Sequence, residues 1–296
     1  MRSGNPLQTP GIDPDRGPRP VLITGCSSGI GLAAAQALHE RGYAVFASAR
    51  RPADVTRLQG LGLSALQLDL DDDLSIGNAL EQVLERSGGR LYALFNNGAY
   101  GQTGAVEDLS RAVLRAQLET NLLGWHELTR RVIPIMRAQG EGRIVQNSSV
   151  LGLAALPYRG AYVCAKFALE GLSDTLRLEL AGTGIHVSLI EPGPIATRFR
   201  ENALAVFRRT IDVAASPHRA AYRAQLARLE KPGPAAPFTL PPAAVVNKLV
   251  HALESRRPRP RYYVTVPTYL FGYGKRVLPT RLMDRLLLRV SGGGRR

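Results

Sequence analysis

The sequence is poor in the residues that staple small domains or hold structural metals. Its 296 positions contain two cysteines, Cys26 and Cys164. Two thiols cannot build a disulfide framework, and no C-x-x-C pair offers ligands to zinc. The expectation is two reduced thiols and no metal site. Long apolar runs are also missing. No stretch reaches the roughly 18 apolar residues of a spanning helix, and residues 1–20 lack the apolar core of a signal peptide. These absences predict a cytoplasmic protein. Hydrophobic residues make up 45% and charged residues 21%, which excludes a mostly disordered or collagen-like chain.

Acidic residues are outnumbered. Lysine and arginine total 38 against 24 acids, a net charge of +14. Arginine exceeds lysine 34 to 4, which fits a GC-rich bacterial gene. The excess is uneven: between Arg256 and Arg296, ten arginines and one lysine face a single acid, Asp284. A basic protein raises a nucleic-acid reading, but this charge sits in a tail, and no nucleic-acid partner is expected for the body.

Residues 1–19 are rich in Pro and Gly and read as a disordered arm. Apolar strand-like runs then alternate with helical patterns. The strands are 20–24, 43–49, 64–70, 91–97, 142–149 and 184–192. Long helices are expected over 107–139 and 158–182. Short buried strands alternating with helices predict an α/β fold, a Rossmann-like doubly wound parallel sheet of about seven strands flanked by helices. The pattern runs unbroken through residue 192, which favours one domain over 20–266. A helical lid is expected over 197–242, with Ser216 as a helix N-cap. RYYVTV (261–266) reads as the seventh strand. Residues 267–296 read as a basic, apolar helical extension broken by Gly272, Gly274 and Pro279.

The segment Thr24-Gly25-Cys26-Ser27-Ser28-Gly29-Ile30-Gly31 follows the first long strand and opens a helix. Glycines there let a phosphate approach the backbone, and the helix N-terminus offers free N–H groups to a pyrophosphate. The alternative is a tight turn with no ligand. Tyr162-x-x-x-Lys166 places both side chains on one helix face. An ammonium beside a phenol favours the phenolate, and lowering a tyrosine pKa from about 10 towards 7 takes about 4 kcal/mol. Alone, this pair also reads as a surface tyrosine beside a solvated lysine.

Together, the glycine pattern, Asn121, Ser149 thirteen residues before Tyr162, and Tyr162-x-x-x-Lys166 resemble the short-chain dehydrogenase/reductase family. Asp69, Asn96-Asn97, and Pro192-Gly193 with Thr197 match in the family's order, over about residues 20–266. The glycine segment and extended C-terminus look most like the hydroxysteroid and retinol dehydrogenase-like branch. The resemblance implies that Tyr162 is the acid in carbonyl reduction and the base in alcohol oxidation. It implies that Lys166 lowers the pKa of Tyr162 and binds the nicotinamide ribose. Ser149 would hydrogen-bond the substrate oxygen, and Asn121 would hold a water that relays a proton to Lys166. Gly25, Ser27, Ser28, Gly29, Ile30 and Gly31 would line the phosphates. Asp69 would bind adenine, its alternative being a charge at the following helix N-terminus. Asn96 and Gly98 would border the cofactor, and Pro192, Gly193, Ile195 and Thr197 would flank the nicotinamide. One departure stands out: the family's Asn-Asn-Ala-Gly is here Asn96-Asn97-Gly98-Ala99, which puts any detailed contact of Gly98 in doubt.

The end of the second strand bears on the cofactor. An acid there would bind the 2′-hydroxyl of NAD, whereas this chain has Ala49-Arg50-Arg51. Arg50 can take a 2′-phosphate through a charge-assisted pair, so NADP(H) is expected. Ala203, Leu204, Val206, Phe207, Tyr222 and Leu226 give the lid an apolar character. That suggests a small hydrophobic carbonyl or alcohol substrate such as a retinoid, steroid or fatty aldehyde, although ordinary helix packing accounts for any single residue. The rival readings are a non-catalytic NADP(H)-binding sensor and a 3-oxoacyl-carrier reductase. The resemblance implies a homo-oligomer, dimer or tetramer. The basic tail has three readings: peripheral membrane contact, packing on the body or a second subunit, or nucleic-acid binding.

Overall fold

The computed structural model describes residues 11–234 and 236–291. The frame is a parallel sheet of seven strands, β3 (Pro20–Ile23), β4 (Ala44–Ala49), β5 (Ser64–Gln67), β6 (Ala93–Asn96), β7 (Gly142–Asn147), β8 (Ile185–Glu191) and β9 (Arg261–Tyr263). Their spatial order is β5-β4-β3-β6-β7-β8-β9, so the direction of winding reverses between β3 and β6. In open α/β sheets that reversal leaves a crevice outside the carboxyl ends of the strands.

Side chains alternate across the sheet, and each face has its own core. Val21, Ile23, Ala47 and Phe95 pack on one face with α1 (Gly29–Glu40) and α9 (Ala243–Glu254). Leu22, Phe46, Leu94 and Ile144 pack on the other with α3 (Asp73–Arg86) and α5 (Gly124–Gln139). Burying each of these aliphatic side chains contributes about 1.5–3 kcal/mol. Helix α2 (Pro52–Gln59) joins β4 to β5, and α6 (Gly160–Glu179) joins β7 to β8.

The lid is two helices, α7 (Phe199–Thr210) and α8 (Arg219–Glu230). Two of its three large aromatics are spent on a small separate core. Phe207 and Tyr222 pack edge-on at 5.2 Å with Ala105 and Ile211 around them. The Tyr222 hydroxyl also accepts from the Ala105 amide at 2.8 Å.

The structure departs from the sequence reading in five places. The expected long helix over 107–139 is a 3-10 turn (Val106–Asp108), α4 (Arg111–Leu118), a π turn (Glu119–Leu123) and α5. Ser216 is not the cap of α8. Its hydroxyl donates to Asp108 at 2.7 Å and accepts from the His218 amide, and His218 takes the N-cap position. The last strand stops at Tyr263, because Thr265 and Pro267 start α10 (Val266–Val277), where a missing proline N–H costs nothing. Gly272 and Gly274 do not break that helix. The Tyr263 ring lies 2.7 Å from where a Cβ on Gly272 would sit, so that glycine admits an aromatic contact; the chain turns at Leu278-Pro279 before α11 (Thr280–Val290). Finally, the described part of the N-terminal arm is a small hairpin, β1 (Ile12–Asp13) with β2 (Gly17–Pro18), turned by Asp13 accepting from the amides of Asp15 and Arg16. The first ten positions lie outside the described residues.

Candidate active site

The crevice at the sheet reversal is floored by two loops, one after β3 and one after β6. Thr24 ties them together, its hydroxyl accepting from the amides of Asn97 and Gly98 at 2.8 and 2.9 Å. Asn97 Nδ2 returns bonds to the carbonyls of Thr24 and Gly25. The loops approach so closely that a Cβ on Gly25 would lie 2.5 Å from the Gly98 Cα, and Gly25 has φ +70°. A Cβ on Gly31 would lie 2.3 Å from the Gly25 carbonyl. The exchange of Ala and Gly after β6 therefore puts a glycine where Gly25 presses.

Helix α1 starts at this loop. Ser28 is its N-cap, yet the Ser28 hydroxyl makes no capping bond. The first turn thus keeps N–H donors and a hydroxyl for an anion. Thr197 leans over the same loop, its methyl 3.0 Å from where a Cβ on Gly29 would sit. Ile30 and Ile195 pack against the core edge, and Leu240 bridges Ile195, its carbonyl accepting from the Ala196 amide at 2.9 Å and its amide donating to the Pro194 carbonyl at 3.1 Å. Pro192 accepts from the Val150 amide at 2.8 Å, which fixes the Pro192-Gly193 segment next to Ser149. Arg50 stands exposed at the end of β4. Arg51 is paired with Asp54 at 2.8 Å. Arg57, from α2, donates to the Ser27 carbonyl and pairs with Asp54 at 3.2 Å. It brings a second guanidinium to the rim of the glycine loop. The glycine cradle and the uncommitted cap fit the phosphates of a dinucleotide.

One expected cofactor residue, Asn96, has its side chain engaged elsewhere. The Asn96 side chain is fully buried and donates to Thr129 and Gln146, both at 2.9 Å. Its strand face points it away from the crevice, and Asn97 does the work at the loop. Asp69 accepts from the Asp71 amide at 3.2 Å, while the cap of α3 is Asp72. Asp69 therefore remains at the rim, and the helix-charge alternative falls to its neighbours.

Tyr162 and Lys166 project from α6 toward Ser149 at the end of β7. Ser149 is buried and accepts from the Leu151 amide at 3.1 Å. Burial pushes the Tyr162 phenol well above its ordinary value, and the Ser149 hydroxyl pulls it part of the way down. Lys166 is fully buried and is pushed down to about 7 by that burial, against an opposing pull from the Glu170 carboxylate. Its Nζ donates to the Asn147 carbonyl at 2.9 Å and sits 4.0 Å over the Trp125 ring. It lies 5.6 Å from the Tyr162 ring.

Asn121 lies in the π turn, which packs on α6. Its side chain holds Tyr100, donating to the carbonyl at 2.8 Å and accepting from the amide at 3.2 Å. Such π turns recur at functional sites because they rearrange the main-chain carbonyls.

Several residues escaped the sequence reading. Trp125, whose indole N–H donates to Gly98 at 2.8 Å, is one helical turn beyond Asn121, a spacing that signals a shared face. Asn147 precedes Ser149 by two on one strand, the same-face spacing. Phe199, at the start of α7, packs edge-on against Tyr162 at 5.5 Å. Nothing in the sequence singles out Arg57.

Comparison with known proteins agrees with this geometry. Residues 19–205 match the family described as short chain dehydrogenase. The chain belongs to that family. It is 45% identical over 267 residues to the uncharacterized oxidoreductase YbbO of Escherichia coli K12, covering 90% of this chain and 93% of that protein. It is 36% identical to the 3-ketodihydrosphingosine reductase of Bacteroides thetaiotaomicron, over 62% of this chain and 67% of the relative. A short-chain dehydrogenase from Streptomyces avermitilis superposes with a TM-score of 0.72 at 27% identity, covering 94% and 98% of the two chains. Two similar structures contain a cofactor. A Burkholderia phymatum short-chain dehydrogenase/reductase with NAD has a TM-score of 0.70 at 25% identity, covering 83% of this chain and 88% of the other. An actinorhodin polyketide ketoreductase with NADPH has 0.68 at 27%, covering 86% and 97%. The protein is thus an oxidoreductase of the short-chain dehydrogenase family, whose members bind NAD or NADP.

Proposed function

We propose that this dehydrogenase interconverts a carbonyl and an alcohol with NADP(H), acting on a small hydrophobic aldehyde, ketone or alcohol. The observation that carries the reading is the buried Tyr162 phenol with Ser149 beside it and Lys166 behind it, at the mouth of the glycine cradle. NADPH, when bound, supplies the hydride. Ser149 donates to the substrate oxygen, which gains negative charge as the carbonyl is reduced. Tyr162 gives that oxygen a proton. The Lys166 ammonium lowers the cost of the phenolate left behind, and the Asn147 carbonyl holds it in place. In the oxidative direction, the same phenol takes the proton back.

Arg50 and Arg57 support NADP(H) over NAD(H): Arg50 stands exposed just past β4, where NAD binding would favour an acid, and Arg57 reaches the Ser27 carbonyl. Phe199 over Tyr162 supports an apolar substrate. So does the relative named as a reductase of a long-chain ketone. The test is turnover of a panel of aliphatic, polycyclic and retinoid carbonyls with NADPH or NADH, in wild type, Arg50→Asp and Arg57→Asp. The proposal expects NADPH to be preferred and each substitution to weaken NADPH by at least about tenfold more than NADH. Equal losses for both cofactors would reject the assignment.

A further inference from the structure

The two C-terminal helices carry an apolar surface that nothing among the described residues covers. Helix α11 holds to the body through Met283 and Leu287, which are buried with Ala154 and Phe271. Next to this buried ridge runs a second, Leu282, Leu286 and Val290, at the same four-residue spacing. All three are exposed. Next again runs a third ridge, Arg281, Arg285 and Arg289, also exposed. Residues four apart share a helix face, so the exposed apolar ridge lies between the buried contact and a row of guanidinium groups. Helix α10 repeats the pattern: Val266, Tyr269, Leu270, Tyr273 and Val277 fall on one face by their spacing and are all exposed, with Val277 at 79%.

The charge decides what fits this surface. Residues 266–290 carry Lys275, Arg276, Arg281, Arg285 and Arg289 against Asp284, a net +4. A second copy docking through the same face would bring two such charges together, at a cost in like-charge repulsion. An anionic lipid surface takes both features at once. The apolar ridge enters the headgroup boundary, and arginines alongside keep their stems in the apolar zone while their heads meet phosphate or carboxylate. Among the described residues, no helix is long and apolar enough to cross a membrane, so the contact lies in the interface plane.

We propose that α10 and α11 form a peripheral docking surface for anionic membranes. The experiment is flotation of the full-length protein with vesicles of phosphatidylcholine alone or mixed with phosphatidylserine. Three proteins are compared: wild type, Arg281→Gln/Arg285→Gln/Arg289→Gln, and Leu282→Ser/Leu286→Ser/Val290→Ser. All substituted residues are exposed, and circular dichroism and NADPH binding verify that each variant is folded. Wild type should float with the anionic vesicles, weaken with salt and ignore the neutral ones. The arginine variant should lose about 100-fold in partitioning, and the serine variant should also stay in solution. Sedimentation velocity should give the same oligomeric state for all three. Absence of wild-type binding to anionic vesicles would overturn the proposal, as would binding indifferent to both variants. Dissociation of an oligomer by the serine substitutions would also overturn it, by assigning the face to a second copy.

Discussion

Asn147 Nδ2 donates to Asn97 Oδ1 at 2.9 Å, and this bond joins the glycine loop to the strand end that holds Lys166. On one side, Asn97 holds the carbonyls of Thr24 and Gly25. On the other, the Asn147 carbonyl holds Lys166. Asn97→Ala removes three bonds from this line. Because it loosens the cradle and Lys166 together, NADPH affinity and kcat should both fall. Trp125 makes the first measurable, since it is the only tryptophan and its indole bonds to Gly98. Quenching of its fluorescence should titrate cofactor in wild type, with the midpoint shifted at least about tenfold in the variant for bonds worth roughly 1.5 kcal/mol.

The pH dependence follows from Lys166. Burial lowers its pKa to about 7, so in the folded ligand-free protein it is charged below that value and loses its proton as pH rises through it. The charge favours the phenolate that reduction leaves on Tyr162, so kcat/KM for reduction should fall as pH rises past about 7. The unfolded chain keeps that proton up to about 10.4, so this group's contribution to stability rises with pH across the window. Glu170 opposes the burial. Glu170→Gln should therefore move the kinetic midpoint to lower pH, and an unmoved profile would separate Glu170 from the reaction.

Arg261 bridges three carboxylates. It pairs with Glu170, with Asp174 at 2.6 Å and with Glu191 at 3.0 Å. Glu170 and Glu191 are buried, and burial pushes the Glu191 carboxyl up to about 8. Arg261→Met leaves both without a counter-charge and should cost about 3–5 kcal/mol in urea unfolding. An acid whose folded pKa is raised binds its proton more tightly when folded, so the loss should shrink as pH falls through about 8.

Phe199 reaches the site from the lid, edge-on to Tyr162. Phe199→Ala removes an aromatic contact worth about 0.5–1.5 kcal/mol and opens the phenol to water. KM for a hydrophobic carbonyl should rise by up to about tenfold, with a smaller change for a short polar one. Equal KM values for both substrates, unchanged from wild type, would place Phe199 outside the substrate path.

Much of the architecture was legible in the sequence because buried parallel strands read as short apolar runs. PVLI became β3 and IHVSLIE became β8, and the glycine segment after the first became the start of α1. What the sequence hid was tertiary. The π turn around Asn121 has no local signature distinct from a helix. Asn96 and Asn97 are adjacent and identical in kind, and only the strand's alternation sends one to the core and the other to the crevice. The end of β9 was misread because the apolar VTV run hid the start of a helix, which Pro267 marks. Spacing puts Tyr162 and Lys166 on one helix face but is silent about their burial, which disfavours the charged form of both.

The most direct test of the account is single-turnover reduction with NADPH already bound, comparing wild type with Tyr162→Phe and following the loss of NADPH absorbance. The phenol hydroxyl is the only atom removed. NADPH should still quench Trp125, because the 24–31 loop is untouched, while the rate falls by at least about 100-fold, the usual contribution of a positioned acid. Reduction at the wild-type rate in Tyr162→Phe would contradict the account.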